Sequence, residues 1–179
     1  MDDSSLAARA RDGDRTAFDA LVERHYSDCA RLAWRLLGRR QDAEDAVQET
    51  FLRAWRAMGR FEDQRGFRAW LVRILINRCR TLGGRRSRLR AREGADLEYA
   101  QGAVAVDCEP AGDLRDALQV ALAKLDRASR ELVLLKYGEG LDYGTLSVML
   151  DTSVSALKMR LMRARERLRE SLEEDFGGR

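Results

Sequence analysis

The residues that could bind a partner begin with a stripe of acidic and amide side chains. They are Asp42, Asp45, Gln48 and Glu49, and the carboxylates among them are three and four positions apart. On a helix the three carboxylates would fall within an arc of roughly 60°. Like charges at this spacing destabilise an isolated helix by about 0.2–0.5 kcal/mol per pair. A stripe of one sign therefore indicates a basic partner.

The stretch that follows has the opposite charge. It holds ten arginines and no acidic residue between Arg65 and Arg92, although the whole chain carries a net charge of only +3. Because lysine and arginine clusters pair with phosphates whatever the net charge of the protein, this stretch favours contact with a polyanion. We interpret its last ten residues, 83–92, as a tail on DNA phosphate, with a solvated helix end as the alternative.

A third candidate lies near the C-terminus, where two helical patterns flank a short turn. Asp142 can cap the first helix, Asp151 and Thr152 form the turn, and Ser153 can cap the second. The second helix is basic and places Val154, Leu157, Leu161, Ala164 and Leu168 on an apolar side. Two helices joined in this way are typical of a helix-turn-helix, whose second helix reads bases in the major groove.

The elements that carry these residues are predicted to be helices. The chain has one proline in 179 residues, and its apolar residues recur every three to four positions. Asp14 is expected to cap a long helix that ends at Gly38. The segment 93–113 holds six acidic residues and no basic one. We therefore predict an all-α protein with two small helical domains, residues 1–92 and 114–179, joined by a flexible acidic linker.

Other residue types give little support for catalysis. The three cysteines are far apart and form no CxxC pair, so neither a zinc site nor a disulfide framework is expected. His25 is the only histidine and is interpreted as an ordinary packing or surface residue. We predict no cofactor, no metal and no enzymatic activity. The first residues form no apolar signal and no apolar run reaches 18 residues, which predicts a cytoplasmic protein without membrane insertion.

Two separate stretches resemble a known family, the extracytoplasmic-function class of bacterial sigma factors. Its region 2 is similar to residues 42–55, DAEDAVQETFLRAW, and to residues 67–77, FRAWLVRILIN. Its region 4 is similar to residues 141–168, LDYGTLSVMLDTSVSALKMRLMRARERL. Within region 4 the chain departs from the family pattern at Asp151, which replaces a glycine and is expected at positive φ. Met159 replaces a small polar residue, so the preferred DNA sequence is expected to be unusual.

The resemblance implies the partners and the role of each site. The acidic stripe of Asp42, Asp45, Gln48 and Glu49 would bind the clamp coiled coil of the largest subunit of RNA polymerase. Region 4 would bind the flap of the polymerase, and an anti-sigma factor would control the protein. The −10 promoter element would be opened and read by Phe61, Gln64, Arg65, Phe67, Arg68 and Asn77. Trp70 is interpreted as a core residue.

The −35 element would be bound by the last helix of the helix-turn-helix. Lys158 and Arg163 could contact guanine, and Met159 or Met162 could pack on a thymine methyl. Arg160 and Arg165 are interpreted as phosphate contacts. The complete set nominated for this element is Ser155, Lys158, Met159, Arg160, Met162, Arg163 and Arg165.

The predicted function is therefore promoter-specific transcription initiation together with core RNA polymerase. The alternative is a stand-alone helix-turn-helix repressor or activator, in which residues 1–90 act as a sensor or dimerisation domain. The acidic stripe discriminates between the two, since a repressor has no use for it. A purely structural helical adaptor would leave both arginine clusters unexplained.

Overall fold

The structure, a computed structural model, describes residues 2–62, 66–92 and 113–176, with the backbone alone for 86–92, 113–116 and 175–176. Every regular element in these ranges is helical, which confirms the predicted all-α fold. The chain divides into two compact units, Met1–Arg92 and Glu93–Arg179. The predicted linker 93–113 lies outside the described residues apart from Asp113, which begins a helix.

Within its described residues, 2–62 and 66–92, the first unit contains four helices and one short turn of 3-10 helix. They are α1 (Asp3–Arg11), α2 (Arg15–Leu37), α3 (Arg40–Ala57), the 3-10 turn (Met58–Arg60) and α4 (Phe67–Arg92). Helices α2, α3 and α4 pack against one another, and α1 packs against α2. Leu21, Val47 and Leu75 are completely buried, one from each of the three long helices.

The ends of α2 follow the predicted capping rules. The carboxylate of Asp14 accepts a hydrogen bond from the backbone N–H of Ala17 at 3.1 Å. At the other end Gly38 adopts a left-handed conformation with φ 66°, and its N–H donates to the carbonyl oxygen of Trp34 at 2.8 Å. Both ends are therefore fixed by short-range chemistry that the sequence contains.

Helix α4 is longer than its sequence suggests. Gly83 and Gly84 lie inside it, and the helix continues to Arg92. Because mid-helix glycine costs about 1 kcal/mol relative to alanine, two adjacent glycines would ordinarily argue for an end at this point. The arginine-rich segment 83–92 is thus the C-terminal part of α4, and its contact with DNA phosphate stays a prediction.

In the second unit, the described residues 113–176 form helices and one π-helical turn. They are α5 (Asp113–Lys124), α6 (Arg127–Val133), the π turn (Leu134–Gly138), α7 (Tyr143–Leu150) and α8 (Val154–Phe176). The guanidinium of Arg130 fixes the corner between α5 and α6. It donates to the carbonyl oxygens of Leu122, Ala123 and Leu125 at 2.8, 2.6 and 3.2 Å. These carbonyls lie at the C-terminus of α5, where the regular hydrogen bonds of the helix end.

Helices α7 and α8 form the predicted helix-turn-helix. Asp142 accepts hydrogen bonds from the backbone N–H and the hydroxyl of Thr145 at 2.9 and 2.6 Å. Ser153 Oγ accepts a hydrogen bond from the N–H of Ala156 at 3.3 Å. Asp151 adopts φ 49°, and in the described ranges it is the one non-glycine residue with positive φ. Both caps and the strained turn residue are confirmed.

The apolar side of α8 is shorter than predicted. Leu157, Leu161 and Ala164 are buried as expected, but Val154 is 37% exposed and Leu168 is only half-buried. Val154 is the first residue of the helix and follows the turn directly, so its side chain lies beyond the reach of the core.

The strained turn gives a test of local stability. We expect Asp151→Gly to raise the free energy of unfolding of the second unit by about 0.5 kcal/mol. Glycine removes about 1–2 kcal/mol of backbone strain from the folded state. It also gives the unfolded chain more conformational entropy, which lowers the free energy of unfolding by about 0.4–1 kcal/mol. Asp151→Ala should lower the free energy of unfolding instead.

The measurement uses urea unfolding of the whole chain, followed by two signals. All three tryptophans, Trp34, Trp55 and Trp70, belong to the first unit. The shift should therefore appear in circular dichroism and be absent from tryptophan fluorescence. A variant Asp151→Gly that is less stable than the original chain would contradict the strain assigned to this turn.

Candidate nucleic-acid and protein interfaces

The acidic stripe lies on the side of α3 that faces away from the core. Asp45 and Gln48 are exposed, and Asp42 and Glu49 are half-buried. The opposite side of α3 buries Val47 and other small apolar residues between α2 and α4. The structure therefore places the four predicted residues on one helix, and Asp45 and Gln48 are more exposed than Asp42 and Glu49.

Glu49 is not as isolated as the sequence argument assumed. Arg53 Nε donates to its Oε1 at 2.7 Å, one helical turn further along α3. This hydrogen bond lowers the pKa of Glu49; desolvation raises it, and the charges of Arg53, Arg78 and Arg56 lower it further. The stripe is thus partly neutralised within the chain. Asp45, by contrast, has no ion pair or hydrogen bond to any other residue that the structure describes.

A cluster of three aromatic rings lies around the loop between the 3-10 turn and α4. The ring centres of Phe61 and Trp70 are 5.0 Å apart, those of Phe61 and Phe67 are 5.9 Å apart, and those of Phe67 and Trp70 are 5.7 Å apart. Phe61 and Trp70 are half-buried, whereas Phe67 is only 2% exposed. Two partly accessible rings therefore rest on one buried ring.

This arrangement changes the roles within the set nominated for the −10 element. Phe67 belongs to the core, where no base could stack on it, so it supports the other rings. Trp70, which the sequence placed in the core, has an accessible edge. Arg68 is half-buried and Asn77 is exposed on α4. Gln64 and Arg65 lie outside the described residues.

The side of α8 away from the core is open to solvent along its first half. Met159 and Met162 are 47% and 52% exposed, large values for apolar side chains. The whole predicted set is exposed, namely Ser155, Lys158, Met159, Arg160, Met162, Arg163 and Arg165. Two methionines among four cations and a serine can combine apolar contact with hydrogen bonding and phosphate pairing.

Two further residues beside this surface were missed by the sequence argument. The ammonium of Lys136 lies 4.7 Å from the centre of the Tyr143 ring and donates to the carbonyl oxygen of Leu141 at 3.0 Å. The ammonium of Lys158 lies 5.5 Å from the centre of the same ring. Lys136 and Tyr143 thus extend the basic surface of α8. Lys136 stands in the π turn, an irregular element that apolar periodicity does not reveal.

Metal sites and membrane-spanning helices are absent from the described residues. Within them, no group of three or more histidine, cysteine or acidic residues could hold a metal ion. In the same ranges, no helix has the length and apolar character needed to cross a membrane.

Comparison with known proteins supports the resemblance to sigma factors that the sequence shows. A family model described as Sigma-70 region 2 matches residues 21–90, and one described as Sigma-70, region 4 matches residues 115–168. The chain is 37% identical to the RNA polymerase sigma factor CnrH of Cupriavidus metallidurans, over 97% of this chain and 95% of that protein. It is 30% identical to the ECF RNA polymerase sigma-E factor of Salmonella typhimurium, over 93% and 92%.

Solved structures agree with these matches. CnrH in complex with the cytosolic domain of CnrY is similar with a TM-score of 0.70 and 34% identity, over 97% of this chain and 98% of that one. The sigma factor RpoE from Bartonella quintana, in complex with the anti-sigma factor NepR, is similar with a TM-score of 0.71 and 29% identity, over 87% and 96%.

The internal neutralisation of Glu49 can be tested directly. We expect Arg53→Gln to raise the pKa of Glu49 towards its ordinary value of 4.5, because the first and largest lowering contribution is the hydrogen bond from Arg53. The pKa is followed by the carboxyl carbon shift in an NMR titration. Arg40→Gln is the matched control, since Arg40 pairs with Glu44 at the same spacing on the same helix. An unchanged pKa of Glu49 in Arg53→Gln would contradict the pairing.

Proposed function

The chain belongs to the sigma-70 family of RNA polymerase sigma factors, in its extracytoplasmic-function class, and from this premise we propose which of its residues bind polymerase and promoter. Proteins of this kind are transcription initiation factors that direct core RNA polymerase to promoters. We assign residues 1–92 to the region 2 domain, 114–179 to the region 4 domain and 93–113 to the linker. The observation that carries the assignment is the coexistence of an exposed acidic face on α3 with two separate basic surfaces.

Asp45 and Gln48 form the centre of the proposed polymerase contact. Asp45 is exposed and has no partner among the described residues, so a basic group of the clamp coiled coil could pair with it without breaking an existing bond. Asp42 and Glu49 form the edges of the contact. Because Glu49 already pairs with Arg53, it contributes less to the attraction than its position suggests.

The aromatic cluster is the proposed site for the −10 element. Opening the promoter requires an unpaired base to be held outside the stack and a single strand to lie on aromatic and basic side chains. Phe61 and Trp70 offer partly accessible rings for such stacking, supported from below by Phe67. Arg68 and Asn77 would contact the strand from α4, and Gln64 and Arg65 from the loop.

The exposed side of α8 is the proposed site for the −35 element. Lys158 and Arg163 would bind guanine acceptors, and Met159 and Met162 would pack on thymine methyl groups. Arg160 and Arg165, with Ser155 at the start of the helix, would bind phosphate. We add Lys136 and Tyr143 as phosphate contacts, because the ammonium groups of Lys136 and Lys158 both lie within 5.5 Å of the centre of the Tyr143 ring.

Two further partners follow from the family. RpoE of Bartonella quintana binds an anti-sigma factor and CnrH binds the cytosolic domain of CnrY, so we propose that an anti-sigma factor controls this protein as well. Region 4 would also contact the flap of the polymerase, and the protein would act in the cytoplasm, where core polymerase works. A stand-alone helix-turn-helix regulator is not favoured, since sigma factors match the chain over nearly its whole length.

Charge reversal tests the polymerase contact. We expect Asp45→Lys to weaken binding of core RNA polymerase at least roughly tenfold, because it replaces an attraction with a repulsion in the centre of the contact. Binding is measured by fluorescence anisotropy of labelled protein titrated with core enzyme.

Glu44→Lys is the matched control, with the same change of charge one position away on α3 but on a different face of the helix. It should bind core enzyme as the original chain does, and both variants should keep their helical circular dichroism. Equal affinity of Asp45→Lys and the original chain would remove the clamp assignment.

A second experiment separates base contacts from phosphate contacts on α8. We expect Arg163→Ala to lose about 1–3 kcal/mol of discrimination at one base pair of the −35 element. Arg160→Ala, its control, should weaken all sequences alike. Run-off transcription with core enzyme on a library randomised in the −35 element measures both. A uniform loss in Arg163→Ala would identify that arginine as a phosphate contact instead.

A further inference from the structure

The single histidine of the chain is buried and hydrogen-bonded to a carboxylate, a contact that none of the preceding roles uses. His25, on α2, is 5% exposed. Its Nε2 lies 2.7 Å from Oδ2 of Asp3, the first residue of α1. The other carboxylate oxygen of Asp3 accepts a hydrogen bond from Arg24 at 2.5 Å. Asp3 thus ties the start of α1 to two neighbouring residues of α2.

The charge of Asp3 is held in place by these partners. Desolvation raises the pKa of Asp3, but the hydrogen bonds from Arg24 and His25, together with their charges, outweigh it and lower the pKa below its ordinary value. The carboxylate is therefore ionised at neutral pH. Hydrogen bonds to an ionised group are the stronger kind, which makes this contact a good anchor for a partly exposed helix.

The ring of His25 also contacts the aromatic cluster. Its centre lies 5.6 Å from that of Phe67, with 44° between the two planes. Phe67 in turn supports Phe61 and Trp70. A continuous chain of contacts therefore runs from the carboxylate of Asp3 through the histidine ring and the buried phenylalanine to the two accessible rings.

Helix α1 contacts the same region by a second route. It packs against the 3-10 turn, which precedes the loop, and against α4, which follows it. Leu6, Ala7 and Ala10 of α1 are buried in these contacts and in those with α2. One short helix thus touches the elements on both sides of the loop that leads to Phe67.

We propose that Asp3 and His25 are positioning residues for promoter opening: the hydrogen bond between them fixes the imidazole ring on which Phe67 rests, and so holds Phe61 and Trp70 in place for an unpaired −10 base. This inference depends on the proposed role of the aromatic cluster. Neither residue touches DNA. Their effect lies in the opening of the −10 element and the capture of its unpaired base, and it does not extend to polymerase binding or to the −35 contact.

Two substitutions break the pair while keeping most of its shape. Asp3→Asn retains an oxygen acceptor but loses the charge, and His25→Phe retains a ring against Phe67 but loses Nε2. We expect each to slow open-complex formation on a duplex promoter roughly tenfold, the effect of losing one charge-assisted hydrogen bond. Permanganate reactivity of unpaired thymines over time, with core polymerase present, measures this rate.

A positioning role predicts two further results that a general loss of structure would not produce. On a template whose −10 region is already unpaired, both variants should lose less than on duplex DNA, because no base has to be drawn out of the stack. The double variant should be no slower than the slower single variant, because residues that act through one contact are not additive. Glu23→Gln, an exposed change of charge on α2 with no ion pair or hydrogen bond among the described residues, is the control.

The results distinguish the positioning role of Asp3 and His25 from the assignment of the aromatic cluster to the −10 element. Equal losses on duplex and pre-opened templates, or additive losses in the double variant, would overturn the positioning role. Normal opening by Asp3→Asn and His25→Phe would also overturn it, provided that Phe61→Ala still slows opening. If Phe61→Ala also opened the promoter normally, the assignment of the −10 site to the aromatic cluster would fail instead.

Discussion

The packing of α3 against α4 is the constraint on which the rest of the first unit depends. Helix α3 carries the acidic stripe and helix α4 carries many arginines. In the proposed function the two charges bind different partners, so they have to lie on different surfaces of the unit. The buried residues of the two helices, with Val47 and Leu75 wholly inside, hold them in register. Glu49 is drawn towards basic side chains, through Arg53 and the charge of Arg78. Asp45 is left available for another protein.

Much of this architecture could be predicted because it follows from local rules. The caps of α2 and the helix-turn-helix depend on residues within four positions of one another, so Asp14, Gly38 and Asp142 predict helix ends directly. The positive φ of Asp151 follows from the turn it occupies. The exposed side of α8 follows from the spacing of Leu157 and the apolar residues after it.

The features that escaped prediction are those in which distant residues meet or the backbone is irregular. Phe67 was nominated for the −10 element, but it is buried and its ring contacts that of His25 on α2, which the sequence did not predict. The π turn that carries Lys136 leaves no periodic signal. The pairing of His25 with Asp3 joins residues 22 positions apart. The Glu49–Arg53 pair is different, because its spacing of four was visible and the charge argument overlooked it.

The central claim is that the acidic face of α3 recruits core polymerase so that two basic surfaces can act on one promoter together. The most direct test is selection from a duplex library randomised at both elements, with and without core enzyme. With core enzyme, we expect templates with paired −10 and −35 sequences at a fixed spacing to be enriched among those that are transcribed. Without it, no sequence should be retained tightly. Tight, sequence-specific retention of duplex DNA by the chain alone, with no transcripts when core enzyme is added, would contradict the account.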